Sequence, residues 1–188
     1  MKNTIKDEFN AHIAIANSLH DLNDLVSNSA LMCINCLKNG GKILLFGNGG
    51  SASDAQHIAA ELVGRYKTNR RSLSAIALTT DTSILTSISN DFGYSYVFER
   101  QIEALANDGD VVLGISTSGK SQNVINALKR ASELNCKTIG FSGQDDIQMK
   151  KLCDVNIPIA SVDTARIQEM HILIGHTICH LIEQEFTS

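Results

Sequence analysis

His57 and Glu61 stand four residues apart, a spacing that projects both side chains from one face of a helix. An imidazole and a carboxylate held together can move protons between substrate atoms near neutral pH, or supply two ligands to a metal ion. A later segment carries Arg166, Gln168, Glu169, His171, His176 and His180, so four of the six histidines, counting His57, fall on two stretches rich in Ile, Leu and Ala. A single histidine on an apolar helix is ordinarily a hydrogen-bonded core residue. His57 with Glu61, opposite a histidine-bearing helix, leaves two further alternatives open: an acid/base pair or a metal site. Gln168 and His176 are eight residues apart, roughly 12 Å along a helix and about 80° around it. If both serve one centre, a neighbouring subunit is expected to supply one of them.

A second kind of chemistry is written in the glycines. The chain has 13 Gly and one Pro, and many of the glycines fall in two clusters, Gly40 to Gly50 and Gly114 to Gly119. Glycine lets backbone N–H groups converge on an anion, and a following helix start adds the positive end of its dipole. Hydroxyls from Ser51 in the first cluster, and from Ser116, Thr117, Ser118 and Ser121 in the second, add donors. Such loops can also be simple turns that cap helices. Two in one chain, the second with four hydroxyls in six residues, point to phosphate binding. Residues 114–121 also spell the Walker A pattern G-x-x-x-x-G-K-S. Nucleotide hydrolysis further needs an apolar strand ending in a magnesium-binding Asp. The later apolar runs end in Phe141-Ser142-Gly143 and Ile159-Ala160 instead.

These groups need a scaffold. The runs 42–46 (KILLF), 74–78 (SAIAL), 110–115 (DVVLGI), 137–141 and 155–159 read as short buried strands. Helical patterns occupy 2–38, where two helices are expected, then 51–66, 80–89, 98–106, 121–134 and 163–186. Buried strands alternating with helices predict a doubly wound α/β domain: a five-stranded parallel sheet covered on both faces, with extra N-terminal helices. Ligands of such sheets bind beyond the carboxyl ends of the strands, where both glycine clusters fall.

Composition narrows the function classes. Net charge is −4, with charged residues at 19% of 188 and no basic block, which argues against a nucleic-acid surface. No apolar run approaches the ~18 residues of a membrane span, and the start MKNTIKDEFN lacks the apolar core of a signal peptide. The five cysteines are an odd set, and Cys33-x-x-Cys36 has neither a second pair nor a histidine at finger spacing. They are expected to be core side chains of a reduced, cytoplasmic protein.

Six motifs in order carry a resemblance: Phe46-Gly-Asn-Gly-Gly-Ser51, Asp54-Ala-x-His57, Glu61-Leu-x-Gly64-Arg65-Tyr66, Asn90-Asp91-Phe92-Gly93, residues 114–121, and Arg166-Ile-Gln168-Glu-x-His171. Together they resemble the bacterial phosphoheptose isomerases of the sugar-isomerase (SIS) domain superfamily. The resemblance implies one SIS domain over 1–188, with residues 1–38 packing in the oligomer and 40–188 forming a flavodoxin-like core. It further implies a homotetramer with active sites between subunits, and conversion of sedoheptulose 7-phosphate to glycero-manno-heptose 7-phosphate for lipopolysaccharide or capsule synthesis. By the same resemblance Asn48, Gly49, Gly50, Asn90, Asp91, Ser116, Thr117, Ser118, Ser121 and Gln168 contact substrate. His57, Glu61, Gln168 and His176 match zinc-binding positions, one ion per subunit, while Glu61 and His176 match the proposed acid/base pair. No nucleotide is implied. The alternatives are a tetrameric SIS binder of a replication initiator or sugar phosphate, whose initiator-binding branch lacks this Glu and His, and an SIS isomerase of a shorter sugar. Lys120 departs from the family, where Asn is common, and Ala165 stands where some members have Asp.

Overall fold

The computed structural model describes residues 1–187. In chain order the elements are α1 (Lys2–Ser18), α2 (Asn23–Lys38), β1 (Ile43–Gly47), α3 (Gly50–Val63), β2 (Ala75–Ala77), α4 (Thr82–Phe92), α5 (Glu99–Leu105), β3 (Val111–Ser116), α6 (Gln122–Glu133), β4 (Lys137–Ser142), α7 (Ile147–Leu152), β5 (Val155–Pro158) and α8 (Thr164–Phe186). The five strands form one sheet of order β2-β1-β3-β4-β5, parallel at every pairing. This is the flavodoxin-like doubly wound order, and it reverses between β1 and β3. Gly47 at the end of β1 pairs with Ile115 near the end of β3, so the two glycine-rich loops leave the sheet side by side.

Alternation along each strand divides the core. Ile43 and Leu45 of β1, with Val111, Leu113 and Ile115 of β3, pack against α2, α3 and α8. Leu44, Phe46 and Val112 point the other way, onto α5, α6 and Met149 of α7. Every residue of β1 and β3 is buried, as expected of a parallel sheet covered on both faces. All five cysteines are free, four of them buried, and burial pushes their thiols up, Cys136 to about 11. They are packing residues, without thiolate chemistry.

Three local outcomes differ from the sequence pattern. The run 74–78, read as a buried strand, forms the edge strand β2, with Ile76 40% exposed and Ala75 and Ala77 only partly buried, because one side of an edge strand has no neighbour to cover it. The helical pattern over 51–66 overruns α3, which stops at Val63, because the amides of Tyr66, Lys67 and Thr68 bond to Glu183 instead of continuing the helix. The short α7 is unforeshadowed, having only six residues.

His171 is fully buried under β4, its Nε2 paired with the Ser142 carbonyl at 3.1 Å. Burial lowers its pKa from 6.5 to about 4. Between those values the unfolded chain binds a proton that the folded chain refuses, so stability falls as pH drops, by about 1.4 kcal/mol per unit. Denaturant unfolding from pH 6.5 to 4.5 is expected to show a slope shallower by that order in His171→Leu. Equal slopes would remove His171 as the cause.

Candidate functional site

The first loop runs from Gly47 into α3, with Gly49 at φ +58° as N-cap and Ser51 buried in the first turn. Its Asn48 is held from three directions. Asn48 Nδ2 donates to Asn123 Oδ1 at 2.9 Å, Asn123 Nδ2 donates back to Asn48 Oδ1 at 2.9 Å, and the Tyr94 hydroxyl donates to the same oxygen at 3.0 Å. Asn123 belongs to α6, so this amide pair ties the first loop to the helix that follows the second. Sequence reasoning missed Asn123 and Tyr94, since neither lies within a glycine cluster.

The second loop closes on itself through its hydroxyls. Ser116 Oγ donates to Ser121 Oγ at 2.9 Å and lies 3.3 Å from Ser118 Oγ, and the Gly119 amide bonds the Ser116 carbonyl at 2.9 Å. Ser121 is the N-cap of α6, and a hollow of about 200 Å³ opens beside Thr117 and Ser118. Lys120 Nζ donates outward to Asp145 at 2.8 Å, so the Walker-like lysine sits on the rim of the loop. Asn90 and Asp91 end α4, exposed, with Asn90 Nδ2 donating to Asp91 Oδ1 at 2.8 Å. The stretch that begins there reaches the first loop through Tyr94.

The titratable cluster forms where α3 crosses α8. Gly175 makes the crossing close: a Cβ there would stand 2.6 Å from Ile58 Cδ1. The residues next to that contact, His57 and His176, then meet. Their Nε2 atoms share a 2.9 Å hydrogen bond and their rings lie edge to face, 5.0 Å apart. Glu61 Oε1 is 3.3 Å from His57 Nε2, and one donor atom from each of His57, Glu61 and His176 falls within 4.8 Å of the others. Two imidazoles and a carboxylate at that separation are a donor set suited to a metal such as zinc. Gln168 sits nearer the first loop. Its amide covers Gly50, where a Cβ would be 2.4 Å away, and its Nε2 donates to Asp54 Oδ1 at 3.4 Å. Burial pushes the Asp54 carboxyl up, opposed by that hydrogen bond and by the nearby His57 and His176.

The remaining titratable residues of α8 do other work. Arg166 donates to Glu8 at 2.9 Å and to Glu169 at 2.6 Å, and Glu169 accepts from His12 at 2.8 Å, which pins α1 to α8. His171 lies in the core, and His180 packs against Tyr66.

Residues 9–143 match the SIS domain family. The chain is 58% identical to the phosphoheptose isomerase of Aliarcobacter butzleri over 188 residues, all of both proteins, and 54% identical to that of Campylobacter jejuni over 186 residues. The solved phosphoheptose isomerase of Neisseria gonorrhoeae superposes with a TM-score of 0.92 at 42% identity, covering 97% of this chain and 98% of that one. That of Francisella tularensis gives 0.93 at 34% identity, covering 97% of each. With sequence and fold matched from end to end, the chain belongs to the phosphoheptose isomerase family of SIS-domain enzymes, which are aldose–ketose isomerases.

Proposed function

We propose that the chain converts sedoheptulose 7-phosphate to D-glycero-D-manno-heptose 7-phosphate through a cis-enediol, the first step of nucleotide-activated heptose synthesis for lipopolysaccharide core or capsule. The observation that carries this reading is the convergence of His57, Glu61 and His176, two of them on the helix that the first glycine-rich loop begins, with the hydroxyl-rich loop leaving the sheet next to that first loop. The reaction moves one proton from C1 to C2 and another between the two oxygens. Glu61 is the base that takes the C1 proton and returns it at C2. His176 carries the proton between the oxygens, a task suited to imidazole near neutral pH. Ser116, Thr117, Ser118 and Ser121 hold the phosphate, and Asn48, Gly49, Gly50, Ser51, Asn90, Asp91 and Gln168 line the carbon chain. Binding at the phosphate end thereby aligns C1 and C2 with Glu61 and His176. No nucleotide takes part.

If zinc is bound, His57, Glu61 and His176 would hold one ion per subunit, with Gln168 as fourth ligand from a neighbouring subunit, and its Lewis acidity would polarise the substrate oxygens and take over part of the acid/base work otherwise given to Glu61 and His176. Ile5, Phe9 and Ile13 form a stripe on α1 that is half or more exposed. The stripe supports burial of residues 1–38 between subunits of a homotetramer, with the active sites at subunit boundaries. Five free cysteines support a reducing, cytoplasmic setting. Among the described residues no helix is long and apolar enough to cross a membrane.

Incubation of the purified protein with sedoheptulose 7-phosphate is expected to yield the aldose 7-phosphate, detected by NMR. Zinc titrated into chelator-treated protein is expected to bind at one ion per chain, and light scattering to report a tetramer of the 20.4 kDa chain. Absence of aldose from folded, zinc-loaded protein would overturn the enzymatic reading, and tight capture of a replication initiator in its place would select the non-catalytic one.

A further inference from the structure

Beyond α3, residues 64–70 have no regular structure, yet two buried side chains hold them. Glu183 of α8 is 2% exposed and accepts three consecutive amides: Tyr66 on Oε1 at 2.9 Å, then Lys67 and Thr68 on Oε2 at 2.8 and 3.0 Å. Arg70, its side chain 1% exposed, donates to the carbonyls of Glu61, Leu62 and Gly64 and approaches the same carboxylate at 3.9 Å. Three amides on one carboxylate fix the backbone at Tyr66 in direction as well as in place.

The ring fixed in this way lies against the candidate site. Tyr66 stacks on His176 with centroids 5.5 Å apart and planes 26° apart, and also meets His180 at 6.0 Å. The second side-chain torsion of histidine is broad, with no sharp staggered well of its own. The plane of the His176 ring is therefore set by what it leans on. The face it leans on is Tyr66, and its Nε2 then points at His57, 2.9 Å away.

We propose that Tyr66 is a positioning residue for the isomerisation: it holds the His176 imidazole in the plane that turns Nε2 toward His57 and Glu61, and Glu183 sets Tyr66 through the three amides. The kinetic consequence rests on the isomerase reading above, whereas the structural one does not. In that reading the substrate phosphate is held elsewhere, on the loop after β3, so loosening His176 acts on turnover and leaves binding nearly intact. Stacking uses the ring face, so the hydroxyl of Tyr66 is dispensable.

Tyr66→Phe and Tyr66→Leu separate these effects, leucine keeping apolar bulk for folding while removing the plane. Tyr66→Leu is expected to lower kcat on sedoheptulose 7-phosphate by about 10- to 100-fold, with KM within about threefold. Tyr66→Phe is expected to stay within about twofold of wild type in both. In substrate-free, chelator-treated, histidine-labelled protein, the His176 ring protons are expected to stay sharp in wild type and Tyr66→Phe, and to broaden into several ring orientations in Tyr66→Leu. Turnover of Tyr66→Leu at the wild-type rate, a loss confined to KM, equal losses in both variants, or sharp His176 signals in Tyr66→Leu would each overturn the assignment. If wild type itself gives no aldose, the isomerase reading fails and the ring signals alone decide the role of Tyr66.

Discussion

Glu61→Gln is expected to lower kcat on sedoheptulose 7-phosphate by roughly 10²- to 10⁴-fold, the range of a lost general base. Glutamine preserves the shape of the side chain and removes only its ability to take a proton. The substitution should leave the protein folded, because the Glu61 side chain is 20% exposed and its contact at 3.3 Å is with the exposed His57 imidazole. Substrate affinity should change little, since the phosphate is held by Ser116, Thr117, Ser118 and Ser121 on a different element. In deuterated water, exchange at C1 of the ketose should stop together with product formation, because one carboxylate performs both. Activity surviving within a few-fold of wild type would remove Glu61 from the role of base and leave it, at most, a metal ligand.

How much of this was visible in the sequence follows from how local each contact is. The runs KILLF and DVVLGI announce β1 and β3 because strands buried on both faces need apolar residues at nearly every position. The pairing of His57 with Glu61 is equally legible, since one helical turn sets it. That His176 completes the cluster depends on Gly175 lying against Ile58, a contact between segments more than a hundred residues apart that no periodicity encodes. Gln168 and His176 share one helix, and the described contacts put Gln168 on Gly50 and Asp54 while His176 meets His57. This matches the 80° offset computed from helical geometry. Asn123 holds Asn48 across two loops, and its place in α6 looks like any polar helix position. Tyr66 and Glu183 were hidden for the same reason: each is ordinary in its own segment, and only the tertiary fold sets them to work on each other.

Glu183→Gln is expected to be the most damaging of these substitutions to stability, lowering the unfolding free energy at pH 7 by roughly 3 kcal/mol, the cost of breaking a buried charge pair. For a chain of this size that corresponds to a fall in Tm of roughly 6–12 °C. The glutamine amide turns an NH2 group toward backbone N–H groups that need an acceptor, and it leaves the buried Arg70 guanidinium without its counter-charge. The pH dependence gives a second, independent check. Burial pushes the Glu183 carboxyl up, but the amides of Thr68, Lys67 and Tyr66 outweigh it and hold the pKa at about 2, below the ordinary 4.5. The unfolded chain therefore takes up a proton near pH 4.5, whereas the folded chain resists until about pH 2. The stability this group contributes is complete above pH 4.5 and is lost as pH falls through that interval. Denaturant unfolding at fixed protein concentration should show the gap between wild type and Glu183→Gln at its full size at pH 7 and narrowing by pH 3. A gap that is absent at pH 7, or unchanged at pH 3, would mean that the three amides, and not the carboxylate charge, account for the order of residues 64–70.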